Sequence, residues 1–136
     1  MINNVKGVGW FVLELYTPSE PRGDGILRTV RKYLGMDDEY TYFDDDLIVH
    51  INSVFSILNQ LGVGPTEGFE IQDDLAQWDE FVIDEDYLED IKTYVCLKVR
   101  LLFDPPTSSA AMEAANRLIE EFEWRLNLAA DPTTTT

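Results

Sequence analysis

Residues 43–65 read FDDDLIVHINSVFSILNQLGVGP. Apolar side chains fall at Leu47, Ile48, Ile51, Val54, Phe55, Leu58 and Leu61. Steps of one, three, three, one, three and three put all of them on one face of a helix with about 3.6 residues per turn. Asp44 is the expected N-cap, and Asp45 and Asp46 in the first turn suit the positive end of the helix dipole. Gly62, Gly64 and Pro65 supply the stop. A stripe this wide must be covered, so the other helices are expected to pack around it.

Composition sets the bounds for the rest. The 136 residues are 45% hydrophobic and 12% aromatic, enough to build the core of one domain. The net charge is −16, from 26 acidic and 10 basic residues. That disfavours an unaided binder of nucleic acid or anionic membrane, both of which need basic surface. The charge is also uneven: between Tyr33 and Ile91 lie 17 acidic residues and no Lys or Arg. Solubility accounts for such a surface, and so does a partner with a basic face. A self-associating chain can also set one copy's basic groups against another's acidic ones. The single cysteine, Cys96, sits in an apolar helical pattern and reads as a buried, inert thiol. The apolar run Val8–Tyr16 is short and carries Glu14, so neither a membrane span nor a signal peptide is expected.

Outward from the opening stretch, the fold class is mainly α: a small bundle of about four helices with a long middle connection. Short β elements are allowed in the N-terminal arm and in that connection. Residues 1–25 form the arm. Trp10 and Val12 would face one side of a strand and Phe11, Leu13 and Leu15 the other. Thr17-Pro18 and Glu20-Pro21 break it, and Arg22-Gly23-Asp24 reads as turn chemistry, not a cell-adhesion signal. Asp24–Gly35 is a short helix with Ile26, Leu27, Val30 and Leu34 inside and a basic outer face of Arg28, Arg31 and Lys32. Val63–Glu85 is the connection, with Phe69 and Ile71 as a short strand and Leu75–Phe81 as a helical turn. Asp86–Phe103 is the second long helix, its stripe running through Tyr87, Leu88, Ile91, Val95 and Leu102 until Asp104-Pro105-Pro106 ends it. Thr107–Leu128 is the last, capped by Ser108 or Ser109, with Ala111, Ala115, Leu118, Phe122 and Leu126 inside and Ile119 at the margin. Residues 26–128 are thus read as the helical domain and residues 129–136 as a polar tail.

No residue pattern calls for catalysis. Gly62, Gly64 and Gly68 lack the lysine and the strand–helix setting of a phosphate loop. His50, the only histidine, has no second ligand at a metal-binding spacing. Asp44-Asp45-Asp46 begins a helix, where consecutive side chains cannot converge on one ion. Neither an enzyme nor a cofactor is expected.

Several blocks together resemble the head–tail connector (adaptor) proteins of long-tailed bacteriophages. They are His50-Ile51-Asn52-Ser53, Leu58–Pro65, Lys92-Thr93-Tyr94, Leu97–Ser108 and Glu123-Trp124-Arg125-Leu126-Asn127. Trp78 falls where that family commonly has a tryptophan in the middle connection. The resemblance spans about Ile26 to Asn127 and leaves out residues 1–25 and the threonine tail. It implies a structural virion protein in the neck, made in the host cytoplasm. It further implies a ring of copies, twelve-fold like the portal above it. Such a ring joins the portal to a stopper or tail-completion protein and continues a channel through which DNA passes without specific binding. No membrane is involved. Candidate contact residues are His50, Asn52, Asn59 and Gln60 on the opening helix, Trp78, Lys98 and Arg100, and Trp124 and Arg125 on the last helix. The clustered carboxylates motivate an alternative: an acidic phage-encoded binding protein or DNA mimic acting on a host protein.

Overall fold

The computed structural model describes residues 25–82 and 85–131. The expected N-terminal strand and joint, Ile83 of the connection, and the threonine tail lie outside the described residues. Five α-helices follow in order: α1 (Ile26–Tyr33), α2 (Asp44–Gln60), α3 (Trp78–Phe81), α4 (Leu88–Phe103) and α5 (Ser109–Ala130). A 3₁₀ turn, Glu85–Tyr87, leads into α4. Four of these are the expected helices, and α3 is the expected single turn in the connection. α5 runs two residues further than its sequence pattern suggests.

The apolar stripe of α2 is buried as read, with Leu47, Ile51, Val54, Phe55 and Leu58 at 0–1% exposure. Its role as the centre needs correction. α4 is the hub: it packs against α1, α2 and α5. This follows from its apolar width, since Ile91, Tyr94, Val95, Cys96 and Val99 are all buried and together point in more than one direction. α2 and α4 run antiparallel: the Phe43 ring at the start of α2 meets Phe103 at the end of α4, at 5.2 Å. α4 and α5 are antiparallel too, with Tyr94 bonded to Glu123 and Asp90 beside Arg125.

Residues at the helix ends depart from the simple stripes. Tyr87 and Leu102, expected inside, are 42% and 49% exposed; Tyr87 lies in the 3₁₀ turn before α4 and Leu102 in the last turn of α4. On α5 the expected order is reversed: Ile119 is 4% exposed and Leu118 42%. α5 leans mainly on one helix, so its buried face narrows to Ile119, Phe122 and Leu126.

Asp44 is not the N-cap of α2. Phe43 holds that position and makes no side-chain cap bond, while Asp44 is the first helical residue. The carboxylate of Asp44 instead receives the Arg31 Nε at 3.0 Å. Arg31 is likewise not on an outer face: it is 1% exposed. Its Nη1 donates to the Asp38 carbonyl at 2.7 Å and its Nη2 lies 3.6 Å from Asp74. One guanidinium therefore joins α1, the α1–α2 loop, the start of α2 and the middle connection. An arginine can do this because its planar fork serves several acceptors at once.

The stop of α2 is a Schellman closure. Gly62 N–H donates to Asn59 O and Val63 N–H to Leu58 O, with Gly62 at φ +86°. The connection then folds back on the core. Phe81 stacks on Phe55 at 4.7 Å, and Phe69 meets both edge-on. No strand forms at Phe69–Ile71. The side-chain amide of Asn52 takes both backbone groups of Ile71, donating at 3.0 Å and accepting at 2.8 Å, in place of a neighbouring strand. Among the described residues the only β pairing is an isolated bridge between Gly25 and Gln77. A capping box between Gln77 and Glu80 fixes the start of α3.

Arg31→Met should lower unfolding free energy by about 3 kcal/mol, the low end for breaking a buried ion pair because Asp74 is partly exposed; urea titration measures it. Gly64→Ala should cost more than Gly62→Ala. Gly64 has φ +91°, and an added Cβ would stand 2.5 Å from the Phe81 ring, whereas at Gly62 the nearest atom is 3.4 Å away. Equal midpoints for the two variants would contradict this packing.

Candidate interface surfaces

The expected contact residues separate into anchors and free surface. Trp78 is fully buried; its Nε1 donates to Thr29 Oγ1 at 3.0 Å and its ring packs beside Phe55. In this fold it offers no surface to a partner. Asn52 is committed to Ile71. Asn59 is exposed, but its amide holds the Pro65 and Thr66 carbonyls at 3.1 and 3.4 Å and so fixes the loop after α2. Arg100 Nε donates to the Asp104 carbonyl at 3.3 Å and closes the end of α4. Lys98 lies 3.7 Å from Glu123, which also accepts the Tyr94 hydroxyl at 2.7 Å. Burial first, and then the Glu123 carboxylate, keep the Tyr94 phenol protonated at any ordinary pH. His50 is half-buried and its ring stands 6.3 Å from Phe103. Gln60 is exposed on the last turn of α2.

Trp124 and Arg125 stand at a real surface. Trp124 is 66% exposed. Arg125 lies over the Phe122 ring at 5.0 Å, with Asp90 and Glu121 each at 3.7 Å. Together with Tyr87, Leu128 and Ala129 they line a shallow groove between the start of α4 and the end of α5.

A second exposed surface was not singled out from sequence. In the loop between α1 and α2, Tyr40 is 47% and Tyr42 79% exposed. The signal was available: two tyrosines within an acidic, non-periodic stretch have no core face to belong to. Asp37, Glu39, Asp45 and Asp46 surround them, all exposed. The loop is nevertheless well fixed. Arg28 pairs with Asp38 at 2.6 Å, Arg31 holds the Asp38 carbonyl from inside, and Tyr42 rests edge-on against Phe43 at 4.9 Å.

Among the described residues no group of three His, Cys, Asp or Glu side chains is placed to hold a metal ion. Cys96 is buried, and burial pushes its thiol up to about 12, so it is protonated and unreactive near neutrality. No described helix is long and apolar enough to cross a membrane.

No curated protein and no solved structure shows a significant match to the chain. A protein-family model described as "Phage connector protein" matches residues 26–133. The match covers all five helices and begins at the first residue of α1. The chain belongs to the phage connector protein family, and its role is that of a structural connector component of a phage.

Proposed function

We propose that this chain is one subunit of a ring in the neck of the virion, between the portal and a stopper or tail-completion protein. The ring encloses part of the channel through which the genome is packaged and ejected. Family membership supports the connector role. The observation that carries the finer reading is the pairing of a fixed helical core with two separate exposed contact surfaces, the Tyr42 loop and the Trp124 groove. A heterologous contact uses two different faces of one subunit, and repeated around an axis it closes a ring.

The charge pattern fits the channel. The Lys- and Arg-free region from Leu34 to Asp90 contains the α1–α2 loop, α2 and the whole connection. Carboxylates facing DNA repel its phosphates and leave it free to slide. A ring matching the portal would hold twelve copies, as the family resemblance implies. The segments before Gly25 and after Asp131 are further candidates for contact with the portal or a neighbouring copy.

Particles assembled without this chain should have DNA-filled or leaking heads and no attached tails in negative-stain images. Supplying the chain in trans should restore tailed particles that contain it. Normal tailed particles in its absence would overturn the proposal, and tight binding to a basic host protein without any assembly defect would favour the acidic-mimic reading instead.

A further inference from the structure

We propose that the apolar run of residues 8–16 covers an open hollow beside the start of α4 of its own chain, with Leu13 as the inserted side chain. The contact lies within one chain, so it goes beyond the ring reading and does not depend on it.

The hollow sets the requirement. Val63, Val82, Ile91, Leu126, Ala129 and Ala130 line a space of about 170 Å³ at the end of α5. None of them carries a charge or a polar side chain. Protein interiors are close-packed, and gaps wider than a water molecule are few in them. Water held in an apolar gap lacks hydrogen-bond partners, and an empty gap forfeits contacts along its walls. A hollow of this kind therefore takes an apolar side chain. Tyr87, Leu126 and Ala129 border both this hollow and the Trp124 groove, whose outer residues Trp124, Arg125 and Leu128 take no part in it.

Position and length select the occupant. Gly25 pairs with Gln77 in an antiparallel bridge, and the Ile26 N–H donates to the Ala76 carbonyl at 3.0 Å. The point where residues 1–24 join the fold is thus pinned to the connection. Val82, on the wall of the hollow, follows Gln77 across the single turn of α3. The steps from Gln77 to Val82 span at most about 18 Å, even fully extended. Residues 17–24 tether the apolar run to Gly25 and reach up to about 28 Å. The run therefore reaches the hollow of its own chain. A tether this short also raises its local concentration to roughly the millimolar range, above that of a separate copy in dilute solution.

Composition selects the same segment. The run reads VGWFVLELY and carries one charge, at Glu14. In an alternating pattern Phe11, Leu13 and Leu15 share one side, and Glu14 falls on the other with Trp10 and Val12. The uncharged side enters the hollow while Glu14 stays in water. Leu13 is the middle of that side. The other segments that border the hollow fit it less well. The PTTTT that follows Asp131 is polar. Ile83 follows Val82, which is extended at φ −146° and ψ 135°, and successive side chains of an extended chain point to opposite sides.

The test uses the full chain carrying Ala129→Cys, a small change at the rim of the hollow. The new thiol is labelled with a bulky maleimide, and the buried Cys96 should stay unlabelled, which shows that the core is intact. Adding Leu13→Asp should raise the labelling rate of the Ala129→Cys chain several-fold. An unchanged rate would overturn the inference, as would a rise with Ile83→Ser and none with Leu13→Asp. A second measurement is cross-linking of a Leu13→Cys, Ala129→Cys chain under mild oxidation at low protein concentration. The disulfide should form within one chain, giving a single-chain mass on a denaturing gel and an arm peptide joined to an α5 peptide after digestion. Covalent multimers would assign the hollow to a second copy's arm and overturn the intrachain contact. No disulfide at all would overturn it as well. Neither measurement involves assembled particles, so failure of the ring reading leaves this inference standing.

Discussion

A single buried guanidinium organises the acidic half of this protein. Arg31 is 1% exposed in a chain with a net charge of −16. It sits where α1, the α1–α2 loop, the first turn of α2 and the connection converge, and it binds Asp44, Asp74 and the Asp38 carbonyl. Without it, the Asp44 and Asp74 carboxylates and the Asp38 carbonyl would crowd one another in a region of reduced dielectric. With it, the repulsion becomes a cross-link. The exposed face of the loop therefore remains strongly acidic and yet holds one shape.

Around that lock the helices divide the work. α4 packs against α1, α2 and α5 and takes part in most of the helix–helix packing among the described residues. α1 is short, and α5 leans on the other described helices by one narrow face. Exposed apolar side chains at the ends of α4 and on the back of α5 include Tyr87, Leu102, Leu118 and Trp124. An isolated domain gains nothing from apolar side chains at such positions, whereas a subunit of an assembly buries them against its neighbours. The α2 C-terminus is fixed by other means: Asn127 of α5 donates to the Leu61 carbonyl at 3.1 Å, directly over the Schellman turn. The loop after that turn is thereby set in place by α2, α5 and Phe81 together.

The helices were legible from sequence because amphipathic periodicity and caps are local properties. Leu47–Leu61, the Gly62 stop, the Ser108 cap and the Pro105-Pro106 break each lie within a few residues of what they control. What sequence did not disclose depends on contacts between distant residues. Arg31 reads as one more surface cation until Asp44 and Asp74 arrive beside it. Asn52 reads as a polar face residue, yet it serves as the pairing edge for Ile71, and this removes the strand expected there. Trp78 reads as a contact, and the aromatic cluster around Phe55 draws it into the core. α2 looked central because its stripe is cleaner than that of α4. The broader, less periodic pattern of α4 is the mark of a helix covered on several sides. Of the exposed aromatic surfaces, Trp124 was visible as a residue out of phase with its own helix. The Tyr42 loop was not, since no periodic pattern flags a loop.

The central claim is that this fold is the repeating unit of a ring in the phage neck. A cryo-electron microscopy map of the neck, reconstructed without imposed symmetry, tests it most directly. The account predicts a ring of twelve helical domains beneath the portal, each matching the five-helix arrangement. A neck whose density below the portal leaves no place for this five-helix domain would contradict it.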